Sequence, residues 1–388
     1  MTRNSLRALA SALLLGAASL AAATPVAAQK VDFSGKRVEI IIPGREGSGN
    51  DVYARVFAPF FEKHLPGKPS VINRNIPGSG TIAGANQFQQ KAKPDGLTII
   101  SVTSSTISNY TLKNPGVRYK MESWIPIILS PQGSVFYVAS TLGVKGPDDL
   151  PKLKDKALIY GGNGPTSADL RITYSLGLLG ILPKTHVWGS DRGPARLALE
   201  RGEFNANYDT TPAFLQNAKG LLAEGKIVPM FALGVVDKSG EIVRDPNFPN
   251  LPSFVEAYQM MHGGKKPSGP SFEAWKNLIQ IGVMSNKFFA LPAGTPKNIV
   301  EAYRTAARDT LKDPEFAKHA ASIVGGYDQV IGDEALPIIK EATTISPAAW
   351  NALDTWLKKN YDVSLQEQEK EDKKDGKKDE TKDGGKKG

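Results

Sequence analysis

The chain has 388 residues, 40% hydrophobic and 22% charged, the balance of a soluble globular protein with a sizeable core, and its length predicts two domains at roughly 100–200 residues each. The formal charge of +9 comes without a clustered basic stripe between residues 30 and 360, which argues against nucleic acid as a partner. There is no cysteine, so disulfides, thiol catalysis and lipid attachment at an N-terminal cysteine are excluded.

In chain order, Arg3 and Arg7 come first, followed by the apolar run ALASALLLGAASLAAA and the small-residue segment TPVAAQK. That is the pattern of a secretory signal peptide over residues 1–28, with cleavage expected near Ala28 and an exported product. No second run approaches the ~20 apolar residues of a membrane-spanning helix, so the product is expected not to span a membrane. RVEIII, from Arg37 to Ile42, predicts a short buried strand. A glycine-rich turn follows, and then a helix with Asn50 as N-cap, Asp51 in the first turn, and Val52, Val56 and Phe60 at helical spacing. Pro59 predicts a kink or a short helix. Residues 69–76 form the next strand, PGSGT the next turn, IAGANQFQQKA the next helix, and residues 97–105 a third strand after the PDG turn. This β-α-β-α-β order, with right-handed crossovers, brings the first two turns together at the carboxyl edge of the sheet, where open α/β sheets bind ligands.

The rhythm restarts further along. Strands are predicted at 134–140, 157–163, 185–190, 204–210 and 226–236, with helices between them in GPDDLPKL, TSADLRITYSLGLLG, GPARLALERGE and TPAFLQNAKGLLAEG. The chain thus leaves a first domain (31–130 plus 231–362) near Ser130, builds a second (131–230), and returns near Met230, two crossings that make a hinge. The C-terminal stretches PKNIVEAYRTAARDTL and PAAWNALDTWLKKNY read as helices packing back on the first domain. The tail 366–388 is charged, almost devoid of apolar residues, and expected to be disordered.

The two turns carry the chemistry. Gly44, Gly47 and Gly49 in the first, and Gly78 and Gly80 in the second, permit positive φ and leave the backbone uncovered. Amides of the following helical turn, with the positive end of the helix dipole, make each turn an anion site, and two such sites side by side suit a carboxylate. A tight strand-to-helix turn also uses glycine with no ligand at all, so it is the pair that points to binding. Other motifs fail: there is no G-x-G-x-x-G in register, no phosphate-binding loop, and no nucleophile elbow. His64, His186, His262 and His319 are scattered without metal spacing. No metal, cofactor or enzymatic activity is expected. Asp169 and Asp191 stand where a helix start favours a carboxylate, and Trp188 and Tyr208 read as core or cleft-wall aromatics.

The order VEIIIPGREGSGNDVYAR, VINRNIPGSGTIAGAN, KPDGLTII, then YGGNGPTSADL, WGSDRGPARLALERGEFN, LPSFVEAY and LPAGTPKNIVEAY, resembles the Bug family, the extracytoplasmic solute receptors of tripartite tricarboxylate transporters. The resemblance covers about Val31 to Tyr361. It implies a type II periplasmic binding protein: two α/β domains, each a mixed, mostly parallel sheet flanked by helices, closing like a Venus flytrap on a small carboxylate. Such a receptor delivers its ligand to the membrane subunits of the transporter and is expected to be a periplasmic monomer. Backbone amides and ordered waters of the first two loops hold the carboxylate in the family. Carried over here, the contacts are Gly47, Ser48, Gly49, Asn50 and Asp51, then Gly78, Ser79, Gly80 and Thr81, with Ser104, Thr166, Ser167 and Asp209 as further candidates. Three departures stand out: Ser48 and Thr81 replace family glycines, and Gly44–Arg45 replaces an aromatic and a small residue, so that Arg45 could add a charge contact. Two other readings stay open, a ligand-sensing receptor for a signalling kinase and a periplasmic serine hydrolase. The hydrolase would use Ser48 or Ser79 and needs a histidine base; His64 lies some ~20 Å along the first helix from Ser48.

Overall fold

The computed structural model describes residues 30–367. The expected signal peptide and all but the first two residues of the expected tail lie outside them. Two sheets carry the fold. The first has six strands, ordered β13-β4-β12-β3-β1-β2, with β1 Arg37–Ile42, β2 Ser70–Asn75, β3 Thr98–Thr103, β4 Ile125–Ser130, β12 Lys287–Leu291 and β13 Val330–Ile331. The second has five, ordered β7-β6-β8-β5-β9, with β5 Ser134–Ala139, β6 Ile159–Gly162, β7 Thr185–Trp188, β8 Ala206–Thr210 and β9 Ile227–Ala232. A short antiparallel pair, β10 Val235–Val236 and β11 Ile242–Val243, follows the second sheet. Both sheets are mixed. β1 pairs in parallel with β2 and β3, and β6 with β7 and β8, while β12 runs antiparallel between β3 and β4. Strands from 37–130 and 287–331 thus share one sheet, and those from 134–232 the other.

The helices used below are α1 Gly49–His64, α2 Ile82–Lys91, α3 Ser104–Thr111, α4 Leu170–Leu178, α5 Arg192–Glu200, α6 Thr211–Asn217, α7 Lys219–Ala223, α8 Phe254–Met261, α9 Pro270–Ile279, α10 Lys297–Lys312, α11 Pro314–Ile323, α12 Ala335–Thr343 and α13 Pro347–Tyr361. α1 buries Tyr53, Phe57 and Phe61, which stack around Phe289 of β12 at ring distances of 5.0–5.3 Å. This stripe lies one residue beyond the Val52, Val56 and Phe60 read from the sequence, and Val52 is exposed. Two further expectations change at this helix. The N-cap is Ser48, whose Oγ accepts from the Asp51 amide, and not Asn50. Pro59 sits inside an unbroken helix on its exposed face, where the Arg55 carbonyl that loses its partner can turn to water.

Several helices go beyond those read from the sequence, α3 and α9 among them. α3 begins at Ser104, where a strand was expected to run to 105, and α9 rises from the Gly/Pro-rich stretch at 263–270. α9 continues into a π-helical turn, Gln280–Met284. Of the C-terminal helices, α10 packs on α1, as expected. α13 packs on α9 and also reaches the second sheet's helices: Trp356 meets Tyr174 of α4 edge-on at 4.9 Å, and the Tyr361 hydroxyl lies 3.0 Å from His186 Nε2.

Register sets the functional edge. Ile42 pairs with Asn75, so the turns after β1 and β2 leave the sheet side by side. Gly84 of α2 lets them come close, because a Cβ there would stand 2.9 Å from both the Ile76 carbonyl oxygen and Pro43 Cα. Alanine favours a helix interior by about 1 kcal/mol over glycine. Backbone crowding outweighs that here, so Gly84→Ala should lower stability by about 1–3 kcal/mol in urea titrations. A stabilised Gly84→Ala protein would contradict the packing.

Candidate functional site

The first loop, after β1, is built around a buried carboxylate. Asp51 accepts from the Gly47 amide at 2.9 Å, from Arg55 Nε at 2.9 Å and from Asn75 Nδ2 at 2.9 Å. Burial pushes its pKa up, but these hydrogen bonds and the Arg55 charge outweigh burial and hold it below the ordinary value. Asn75 Nδ2 also donates to the Gly44 carbonyl at 3.1 Å, tying the end of β2 to the loop after β1. Asn50 is buried and exchanges bonds with Ser101 of β3, 2.9 Å to its carbonyl and 2.7 Å from its hydroxyl. The side chains of Asn50 and Asp51 therefore shape the loop from behind. Gly47, with φ of +74°, and Gly49 are exposed, as is Arg45, and Ser48 is half-buried.

The second loop is strained. Gly78, Ser79, Gly80 and Thr81 all have positive φ, at +132°, +46°, +60° and +90°. A serine and a β-branched threonine in that region are uncommon, and such residues persist only where the surroundings hold them. α3 supplies the hold: Asn109 Nδ2 donates to the Gly80 carbonyl at 2.7 Å, and Thr106 Oγ1 to Thr81 Oγ1 at 3.0 Å. Gly78, Ser79 and Gly80 are exposed.

α3 also faces the second sheet. The Ser104 amide donates to the Asn286 carbonyl at 2.9 Å, and its Oγ accepts from Arg171 Nη1 of α4 at 3.4 Å. Arg171, Ser167, Leu170, Ser108 and Gly282 line a cavity of about 10 Å³, room for about one water. The Arg171 guanidinium lies 5.2 Å from the Tyr208 ring centre, and Arg192 lies 4.5 Å from the same ring. Tyr208 is thus a wall between two cations. Next along, Lys287 donates to Gln132 Oε1 at 2.5 Å and Asn286 Oδ1 at 2.8 Å, and lies 6.0 Å from the Tyr53 ring centre. Gln132 sits in the crossover between β4 and β5, so this buried cation is tied to the passage between the sheets.

The structure gathers the first loop, the second loop and Ser104 at the carboxyl ends of β1, β2 and β3, and brings Ser167 to Arg171. Thr166 is half-buried beside Ser167. Asp209 is different. It is fully buried, bridged by Arg196 at 2.8 and 2.9 Å and by the Tyr137 hydroxyl at 2.8 Å, so its carboxylate is committed within the second sheet. Asp169 is committed likewise, to Arg192 at 2.9 Å, Tyr160, Ser167 and the Asn163 amide. Two of the histidines are engaged elsewhere: His64 is bonded to Asp313 at 2.9 Å, and His186, which burial pushes down to about 4, stacks on Trp188. Sequence reasoning missed Arg171 and Lys287. The signal for Arg171 was present, a lone cation in the apolar run LRITYSLGL.

Comparison with known proteins adds the following. No family model matches the chain. A UPF0065 protein of Bordetella bronchiseptica is 23% identical over 340 residues, spanning 86% of this chain and 90% of that protein. A TctC solute-binding protein from Polaromonas matches in structure with a TM-score of 0.58 at 19% identity, over 83% of this chain and 98% of its own. MatC from Rhodopseudomonas palustris, solved with bound malate, matches with a TM-score of 0.58 at 19% identity, over 82% of this chain and 99% of its own. The fold is that of these binding proteins, and the similarities agree with the family resemblance carried by the glycine-loop motifs.

Burying Lys287 away from any carboxylate, near the charge of Arg171, pushes its pKa down from an ordinary 10.5 to about 7. Between those values the unfolded chain holds a proton that the folded chain has released, so stability rises with pH by up to about 1.4 kcal/mol per pH unit from this group. Below about pH 7 both states hold it, and the penalty of the buried charge is complete. Lys287→Met should therefore be more stable relative to the parent protein at pH 6 than at pH 9 in denaturant titrations. A stability difference independent of pH would contradict a depressed Lys287.

Proposed function

We propose that the chain is a Bug-type, TctC-like solute receptor of the periplasm that captures a small organic carboxylate. Its domains on this reading are 31–130 plus 231–362 and 131–230, and it hands the ligand, as a monomer, to the membrane subunits of a tripartite tricarboxylate-type transporter. The observation that carries the reading is the pair of exposed glycine loops at one sheet edge, locked together through Asn75 and Gly84. Each loop runs into the first turn of a helix, where amides and the dipole favour an anion. The two strained residues Ser79 and Thr81 fit a loop held ready for a ligand. The signal-peptide pattern expected over residues 1–28 fits export, and the likeness to the TctC protein and to MatC, solved with malate, favours a carboxylate as the solute.

On this reading Gly47, Ser48, Gly49, Gly78, Ser79, Gly80 and Thr81 contact the ligand through their backbones and small side chains. Asn50 and Asp51 support the first loop. Ser104, Thr166 and Ser167 complete the site from α3 and the loop before α4, and Arg45 adds positive potential at the rim. A binding role without catalysis also suits His64 and His186, which are engaged with Asp313 and Tyr361.

A carboxylate that binds only the folded protein stabilises it by linkage, by about 2.7 kcal/mol at one hundred times its dissociation constant. Thermal unfolding with malate, succinate, adipate, citrate and aromatic acids should show a rise in midpoint for at least one dicarboxylate. A well-folded sample indifferent to the whole panel would count against the receptor.

A further inference from the structure

Two lysine or arginine residues are buried among the described residues, Arg171 at 3% exposure and Lys287 at 7%. Neither forms an ion pair among the described residues. The buried acids around them are already committed, Asp169 to Arg192 and Asp209 to Arg196. Arg171 Nε is buried without a hydrogen-bond partner, and Nη1 makes a long contact of 3.4 Å with Ser104 Oγ. A guanidinium has five N–H donors, and leaving a buried cation without a counter-charge is strongly unfavourable.

The surroundings nonetheless make room for this side chain. A Cβ on Gly282 would stand 2.3 Å from Arg171 Cδ, so glycine is needed where the side chain crosses the π-helical turn. π-helical turns inside helices recur at functional sites. Arg171 also lines the cavity beside Ser108 and Ser167. The second glycine loop lies against α3, clamped by Thr106 and Asn109, and Arg171 meets Ser104 at the start of the same helix. Two anion-favouring groups therefore flank one short helix.

We propose that Arg171 is the charge anchor of the site, taking one carboxylate of the ligand directly while the glycine loops take a second, so that the receptor selects small dianionic acids. This rests on the receptor reading above and changes its chemistry. The family resemblance implies capture by backbone amides and waters; here a guanidinium makes the contact. The cavity has room for about one water, so the ligand enters as the walls at the α3–α4 contact move apart.

Titration calorimetry on the full chain tests this with malate, succinate and succinamate, the monoamide that keeps the shape of succinate and loses one charge. The parent protein should bind a dicarboxylate at least about tenfold more tightly than the monoamide. Arg171→Met should lose about 100-fold in affinity, as when one side of a buried charge pair is truncated. The same variant, without ligand, should melt no lower than the parent protein, because it removes an uncompensated charge; a merely structural arginine would lower the melting point. Arg171→Lys should bind less tightly than the parent and more tightly than Arg171→Met. Dicarboxylate affinity unchanged in Arg171→Met, or in Arg171→Lys if the methionine variant does not fold, overturns the anchor and leaves the receptor standing. Equal affinity for succinate and succinamate overturns the selection of dianions. A folded parent protein that binds none of the three removes the anchor along with malate or succinate as the receptor's ligand, and the wider carboxylate panel then decides the receptor itself.

Discussion

A cation taken out of water needs an anion, and Arg171 has none among the described residues. Much of the arrangement around the site follows from that constraint. Three other arginines near the two sheets' edges are matched, Arg55 with Asp51, Arg192 with Asp169 and Arg196 with Asp209. Such pairing is what burial demands. Arg171 sits among these matched pairs, stacked on Tyr208 and laid over Gly282, with a buried Nε left unbonded. Arg171 is thus a buried arginine with no carboxylate beside it among the described residues, and on the proposal above the ligand supplies that partner.

The glycine loops and the arginine do different physical work. The loops offer rigid amides: one is held by Asp51 and Asn75, the other by Asn109 and Thr106. Rigid donors bind without first being ordered, which preserves affinity. The arginine offers a full charge in a poorly hydrated place, where electrostatic interactions are stronger than at the surface. Lys287 is held by Gln132 of the crossover between the sheets.

The β-loop-α rhythm was legible because glycine punctuates it and because the strands are short apolar runs, such as RVEIII and LTIISVT. The two glycine loops were legible for the same reason. What stayed hidden had physical causes. SSTISNYT, which forms α3, carries few helix-favouring residues and no apolar stripe, so its tertiary contacts decide its state. The stripe of α1 was misread by one residue because Val52, Val56 and Phe60 mimic the period of Tyr53, Phe57 and Phe61. Asp209 looked like a site carboxylate until Arg196 was found across from it, a partner thirteen residues away in sequence. Arg171 was written in plain view inside an apolar helix, but its lack of a partner is a property of three dimensions.

The most direct test is a crystal structure of the protein with malate bound. The account predicts one carboxylate within hydrogen-bond distance of the Arg171 guanidinium, about 2.7–2.9 Å, and the other against the amides of residues 47–51 or 78–81. Malate bound elsewhere, or held at the loops with Arg171 still turned to Ser104 and Tyr208, would contradict it.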